Sequence, residues 1–174
     1  MERKLRFVED ELLIRPYRES DKDYIMSTWL HTYRNSSRCW HLAAKEYFWY
    51  ESKRMEFLLE NQDVAVLCAP KHPDVILGWI CYKPTKDSII LHYIVIKEEF
   101  QGRGLGTAFL KAICNEVLGH EDIVNLPLIY TYSNKKGHGI RRGWYSRYGC
   151  PWRFNPYIVD GLLPTIWGAN PDVL

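Results

Sequence analysis

A chain of 174 residues, 47% hydrophobic and 25% charged, can bury one core but hardly two, and it is too apolar for a disordered segment. The formal net charge of +2 gives no argument by itself for a polyanionic partner. No apolar run approaches the ~18 residues of a membrane span, the opening MERKLRFVEDELL lacks the apolar core of a secretion signal, and the five cysteines (Cys39, Cys68, Cys81, Cys114, Cys150) form neither a C-x-x-C pair nor a zinc pattern, which predicts one cytoplasmic domain over residues 1–174 with reduced thiols and no metal.

Residues 12–15 are a short apolar run ended by Pro16, which cannot extend a ladder, and they predict a first strand. Ser20 is a good N-cap, Asp21 and Asp23 bring negative charge to a first turn, and Ile25 and Trp29 recur at helical spacing, so a helix is predicted over 21–33. The polar stretch NSSRCWHL at 35–42 interrupts the pattern before a second helix over 43–60, closed by Asn61. Three successive strands follow over 64–69, 75–83 and 88–96, with a turn at 70–74. A helix over 104–118 carries Leu105, Phe109, Ala112 and Ile113 on one stripe and should lie against a sheet. A strand over 127–132, a short helix over 140–148 ended by Gly149, and an extended or irregular tail over 151–174 complete the order.

Charge is unevenly distributed. Lys135, Lys136, Arg141, Arg142, Arg147 and Arg153 lie in one stretch with no acidic residue among them, a face suited to phosphate, to an acidic surface or simply to solvent.

The segment IVIKEEFQGRGLGTAF at 94–109 puts a buried strand, a short polar turn and a glycine-rich helix start in direct succession. Free backbone N–H groups at a helix N-terminus, with the helix dipole behind them, form an anion site, and glycines let the backbone approach the anion. No Gly-Lys-Ser/Thr occurs, so this is not a P-loop. After Gly104 and Gly106 comes Phe109 where a dinucleotide fingerprint needs glycine or alanine, so that alternative fails too.

Gln101, Gly104 and Gly106 meet the acyl-CoA signature Q/R-x-x-G-x-G/A at every defined position, and here the chain resembles the GNAT superfamily of acyl-CoA-dependent N-acetyltransferases. IRPYRESD at 14–21 is similar to that family's opening strand and first helix, and WYSRYGC at 144–150 to its closing LYxKxGF element. The resemblance implies an α+β fold: a mostly antiparallel sheet of six to seven strands, splayed between the fourth and fifth, flanked by about four helices. It implies acetyl-CoA as donor, with the backbone of Ile94, Val95 and Ile96 on the pantetheine arm and thioester carbonyl. Gln101, Gly102, Arg103, Gly104, Leu105, Gly106 and Thr107 would hold the pyrophosphate, with Asn134 closing the fifth strand.

Amine attack on a thioester needs proximity, donors for the oxyanion and proton handling. The resemblance implies Tyr145 as acid toward the leaving thiolate, with Tyr148 as the fallback, and His92 as base. Ile90 stands where related arylalkylamine enzymes carry a second histidine, and Asp87 lies near the place of a glutamate base in protein N-terminal acetyltransferases. Asn134 and Tyr145 are eleven apart where about seven is usual for the family, which implies an insertion near 135–138 and puts Arg141 or Arg142 where a small residue often packs. The acceptor pocket is expected around Arg34, Arg38, Trp40, His41, Trp152, Phe154, Tyr157 and Trp167. The expected reaction is acetyl transfer to a primary amine by direct attack in a ternary complex, the acceptor being a small-molecule amine or amino acid. Alternatives are a macromolecular amine, on protein or aminoacyl-tRNA, and a non-catalytic acyl-CoA-binding module. Nucleic acid is a possible further partner but not the favoured one, a membrane is not expected, and either a monomer or a homodimer is compatible.

Overall fold

A computed structural model describes residues 2–7, 10–35, 39, 41–86, 88–118, 127–133, 137–149 and 151–160. Seven strands form one sheet in chain order: β1 (Arg3–Phe7), β2 (Asp10–Pro16), β3 (Asp63–Ala69), β4 (His72–Pro84), β5 (Ile89–Ile96), β6 (Leu128–Tyr130) and β7 (Trp152–Phe154). The first five pair antiparallel, and β6 and β7 add in parallel. Helices α1 (Lys22–Arg34) and α2 (Ala44–Asn61) join β2 to β3, α3 (Leu105–Leu118) joins β5 to β6, α4 (Gly137–Tyr148) joins β6 to β7, and the short α5 (Tyr157–Asp160) follows. The mixed, mostly antiparallel sheet with its flanking helices is the expected fold class.

The differences from expectation are local. β1 went unpredicted because Leu5 and Phe7 are the only apolar residues in RKLRF, too few to define a period. Its presence shifts the numbering, so the splay expected between the fourth and fifth strands lies between β5 and β6. β4 begins at His72 rather than 75 because Ala69 pairs with His72 in a tight hairpin. α4 begins at Gly137 rather than 140, its first turn being disguised by Gly137 and Gly139.

The sheet carries a core on each face. On one side Leu67, Leu77, Ile80, Leu91 and Ile96 pack against Leu105, Phe109 and Ile113 of α3 and Trp144 of α4. On the other, Val66, Trp79, Cys81 and Tyr93 pack against Ile25, Trp29 and Tyr33 of α1 and Met55 and Leu58 of α2. Cys39, Cys68, Cys81 and Cys114 are buried thiols outside any disulfide, while Cys150 lies outside the described residues. A buried ion pair ties β2 to the start of α1: Arg15 reaches both carboxylate oxygens of Asp21, at 2.7 and 2.8 Å. Burial opposes charge on Asp21, but the bonds from Arg15 and from the Arg18 backbone N–H prevail and hold its carboxyl below the usual range. Among the described residues, no helix is long and apolar enough to cross a membrane.

A bulge in β5 aims the site. Cys81 pairs with Tyr93 and its neighbour Tyr82 with Leu91, leaving His92 as the extra residue. The alternation therefore changes phase: Ile89 and Leu91 face α3 before the bulge, Tyr93 faces α1 at it, and Ile96 faces α3 again after it.

Candidate active site at the fork of the sheet

β5 and β6 pair over only three residues, Ile89–Leu91 against Leu128–Tyr130. The last backbone bond between them runs from Thr131 N–H to the Leu91 carbonyl, 3.1 Å. Beyond it the strands diverge, and the side of β5 that a strand would cover lines a cavity of about 580 Å³. Ile94, Val95 and Ile96 form its sheet wall. Thr32 reaches it from α1, the segment 100–107 closes one end, and Gly137, Gly139, Ile140, Gly143 and Arg147 of α4 form the opposite wall.

The glycine loop is shaped for an anion. Gly102 and Gly104 take φ values of +78° and +86°, left-handed conformations that side chains avoid. Gln101 Nε2 donates to the Ile96 carbonyl at 2.6 Å and fixes the loop to the end of β5. The Gly104 carbonyl accepts the first α3 bond, from Ala108 N–H at 3.0 Å, so the N–H groups of Leu105, Gly106 and Thr107 have no intrahelical acceptor and crown the helix N-terminus. A Cβ on Gly106 would sit 2.9 Å from Ile140 Cδ1, so glycine here lets α3 and α4 approach. Arg103 and Arg147 bring positive charge to this end of the cavity, and no carboxylate lines it among the described residues.

All ten described residues predicted to hold a donor line this one cavity; Asn134 lies outside the described residues. His92 and Tyr145 do not line it. The His92 imidazole is buried at the fork, its Nδ1 3.0 Å from Thr131 Oγ1 and its Nε2 without a partner among the described residues. Burial, helped by the Lys83 charge, pushes its pKa down to about 4, so the ring is neutral at pH 7. It borders a second cavity of about 30 Å³, which shares Ile94, Gly137 and Ile140 with the larger one. Tyr145 is 65% exposed on another face of α4, beside His138, Arg141, Arg142, Pro151 and Trp152. Tyr148 packs on Trp144 at 4.6 Å.

Of the residues expected around the acceptor, Arg34 is used structurally, donating to the carbonyls of Cys39 and Leu42 to clip the start of the α1–α2 connection. His41 is exposed, Trp152 and Phe154 pack on Tyr130, and Tyr157 is exposed. Arg38, Trp40, Asp87 and Trp167 lie outside the described residues. The small residues that approach the cavity are Gly139 and Gly143, with Arg141 and Arg142 turned elsewhere. Sequence reasoning missed the α4 wall and Thr32. Three glycines within GHGIRRG, at positions that form a helix, were the available signal for the wall; Thr32 carried none.

The acetyltransferase (GNAT) family model matches residues 12–137, from β2 to the first residue of α4. The chain belongs to this family. The match stops before WYSRYGC, so this GNAT chain owes the reading of 144–150 to the shorter resemblance alone. A possible acetyltransferase from Clostridium difficile 630 is 17% identical at a TM-score of 0.50, over 78% of this chain and 88% of that one. A GNAT family acetyltransferase from Listeria monocytogenes 4b F2365 is 16% identical at a TM-score of 0.50, over 84% and 90%. A GNAT family acetyltransferase from Brucella melitensis, in complex with acetyl-CoA, is 18% identical at a TM-score of 0.48, over 79% and 81%. For the Clostridium difficile and Listeria monocytogenes structures, at such identities, the likeness is one of fold. No curated protein matches this GNAT chain in sequence.

Proposed function

We propose that the chain transfers an acetyl group from acetyl-CoA to a primary amine by direct attack in a ternary complex, the acceptor being a small-molecule amine or amino acid. The observation that carries this reading is the single cavity running from the uncovered side of β5 to the glycine-rich start of α3. Its two ends differ as the two ends of such a donor do. Ile94, Ile96 and Ile140 offer apolar walls for an aliphatic arm, while the loop N–H groups, Arg103 and Arg147 gather positive potential for a pyrophosphate. The glycine wall of α4 also fits, since a Cβ on Gly139 would enter open space.

Acetyl-CoA would supply the activated acyl group as a thioester. Backbone N–H groups of β5 near Ile94–Ile96 are the donors that suit an oxyanion there. At the α1 end, Thr32 Oγ1 donates its proton to the Thr28 carbonyl at 2.6 Å and lies 3.0 Å from Tyr93 OH. With that proton committed, Thr32 offers the cavity an acceptor, which suits an incoming N–H. Among the described residues no carboxylate lines the cavity, so an amine bound there loses water without gaining a counter-charge from them, and its neutral, nucleophilic form is favoured. With a pKa of about 4, His92 is a weak base, and its contact with Thr131 supports the role of a positioning residue at the fork. Tyr145 is turned away, so in the proposed mechanism water takes the proton released by the attacking amine and passes it to the leaving sulfur.

Two measurements test the reading: calorimetric titration of the purified protein with acetyl-CoA, and release of the CoA thiol in the presence of a panel of primary amines and amino acids. Micromolar binding with amine-dependent thiol release is expected. A folded, CoA-free protein that binds no acetyl-CoA would sink the proposal, and binding without turnover across the panel would leave a donor-binding module.

A further inference from the structure

The stretch from Ile123 to Val159 contains six lysines and arginines and no acidic residue, while in the rest of the chain 17 basic residues face 21 acidic ones. Charge is therefore unevenly distributed along the chain, and α4 carries three of these six cations, Arg141, Arg142 and Arg147. This helix has two working faces. Gly139, Ile140, Gly143 and Arg147 line the donor cavity. His138, Arg141, Arg142 and Tyr145 line a separate open cavity of about 500 Å³, completed by Pro151 and by Trp152 of β7.

The second face is cationic and unneutralised. Elsewhere arginines have partners: Arg15 binds Asp21, and Arg18 meets Glu2 and Asp74. Among the described residues, neither Arg141 nor Arg142 has an acidic partner. Arg141 instead donates to Tyr130 OH and lies over the same ring at 4.5 Å, which fixes its guanidinium. Partial burial, with the positive field of Arg141 and Arg142 added, holds His138 below its ordinary pKa.

Rings accompany the charge. Tyr130 lies against Trp152 at 5.8 Å and Phe154 at 5.0 Å, a platform along β6 and β7, and Tyr145 stands over half exposed on the rim. Guanidinium groups beside exposed and half-buried rings suit phosphates alternating with planar bases, and stacking tolerates any base sequence. An acidic peptide would use the charges and leave the rings wet. The donor's own phosphates are an inadequate explanation, because the loop and Arg147 that suit them lie on the other face of α4.

We propose that this face of α4, with β7 beside it, binds single-stranded nucleic acid, phosphates meeting Arg141 and Arg142 and a base stacking on Tyr145 or Trp152. The site goes beyond the acetyl-transfer reading and stands on separate residues.

The test is fluorescence anisotropy with a labelled oligothymidine and the matching oligouridine, from about 50 mM salt upward, beside an acidic peptide of equal charge. Saturable binding is expected, weakening with salt at a log–log slope of about −0.7 per phosphate engaged. Arg142→Glu should weaken it about tenfold or more, Tyr145→Ala about tenfold, and Tyr145→Phe little, because stacking survives. Preference for uridine would identify RNA as the source, and parity would identify any single strand; both support the site. No binding at the lowest salt, equal affinity for the acidic peptide, or binding unchanged in both Arg142→Glu and Tyr145→Ala would overturn it. Calorimetry with acetyl-CoA on the same variants separates the two readings: lost oligonucleotide binding with intact donor binding locates the effect on this face, and absent donor binding with intact oligonucleotide binding fails the acetyl-transfer proposal alone.

Discussion

His92 Nδ1 lies 3.0 Å from Thr131 Oγ1, joining β5 to β6 one residue past the last pair of the parallel ladder. The contact sits where the two strands part, on the bulged residue that returns Ile94 and Ile96 to the cavity side. A neutral imidazole fits this buried place and an imidazolium does not.

The consequence is a pH dependence of defined sign. The His92 pKa falls from 6.5 to about 4 on folding, so between these values the unfolded chain binds a proton that the folded chain refuses. This part of the stability is complete above pH 6.5 and is lost as pH falls through the window, the loss amounting to about 3 kcal/mol by the lower end. Urea unfolding of the wild type and of His92→Gln across that window should give a steeper decline in the wild type. Parallel curves would mean that the ring charges without disturbing the fork.

The Arg15–Asp21 pair makes a second stability prediction. Both side chains are almost fully removed from solvent, and Asp21→Ala would leave the guanidinium without its counter-charge. A loss of about 3–5 kcal/mol is expected, read from the urea midpoint. A loss below about 1 kcal/mol would mean that water or another group reaches Arg15 in the variant.

Both features bear on how much could be read in the sequence. The elements that carry the cores were legible, since Ile25 and Trp29 mark α1 and Leu105, Phe109 and Ile113 mark α3 by period alone. The glycine turn at the start of α3 was equally legible, because Gly102 and Gly104 answer a local backbone demand. What escaped were relations across the chain. The bulge at His92 depends on how β4 and β5 align, and Thr32 enters the cavity through the packing of α1 on Tyr93. The helix phase of α4 could not be fixed from spacing, so Tyr145 was expected in the cleft where Gly139, Gly143 and Arg147 stand. A helical face is decided by which residues find a core, and here Trp144, fully buried against the α3 side of the sheet, sets the rotation.

That rotation is testable by removing one hydroxyl. Tyr145→Phe should retain most of the acetyl-transfer kcat with the best amine found, since the phenol lies outside the donor cavity. A fall of about two orders of magnitude, the usual effect of deleting a general acid, would show that the phenol reaches the reacting sulfur in the working enzyme.

Gly139→Leu separates folding from donor binding. The position is helical and faces open space, so leucine should leave stability unchanged or raise it by up to about 0.8 kcal/mol. Its side chain would occupy the cavity wall, so acetyl-CoA affinity should fall at least about tenfold in calorimetry, with an equal or higher thermal midpoint. Undiminished affinity would place the donor elsewhere than between β5 and α4.

Arg147 makes the sharpest claim about a residue that the loop motif does not contain. Its Nη2 would lie 3.8 Å from a Cβ on Gly104, so the guanidinium stands over the glycine loop from the α4 side. Because Arg147 is exposed, a contact with phosphate is worth less than a buried charged hydrogen bond, about 1 kcal/mol, or about fivefold in acetyl-CoA affinity. Arg147→Ala should show that loss chiefly at low salt and converge on the wild type as ions screen the attraction. Arg147→Lys should recover part of it, since the charge remains while the two-pronged geometry does not. Equal affinities for all three proteins at low salt would mean that the backbone N–H crown and Arg103 hold the phosphates without help from α4.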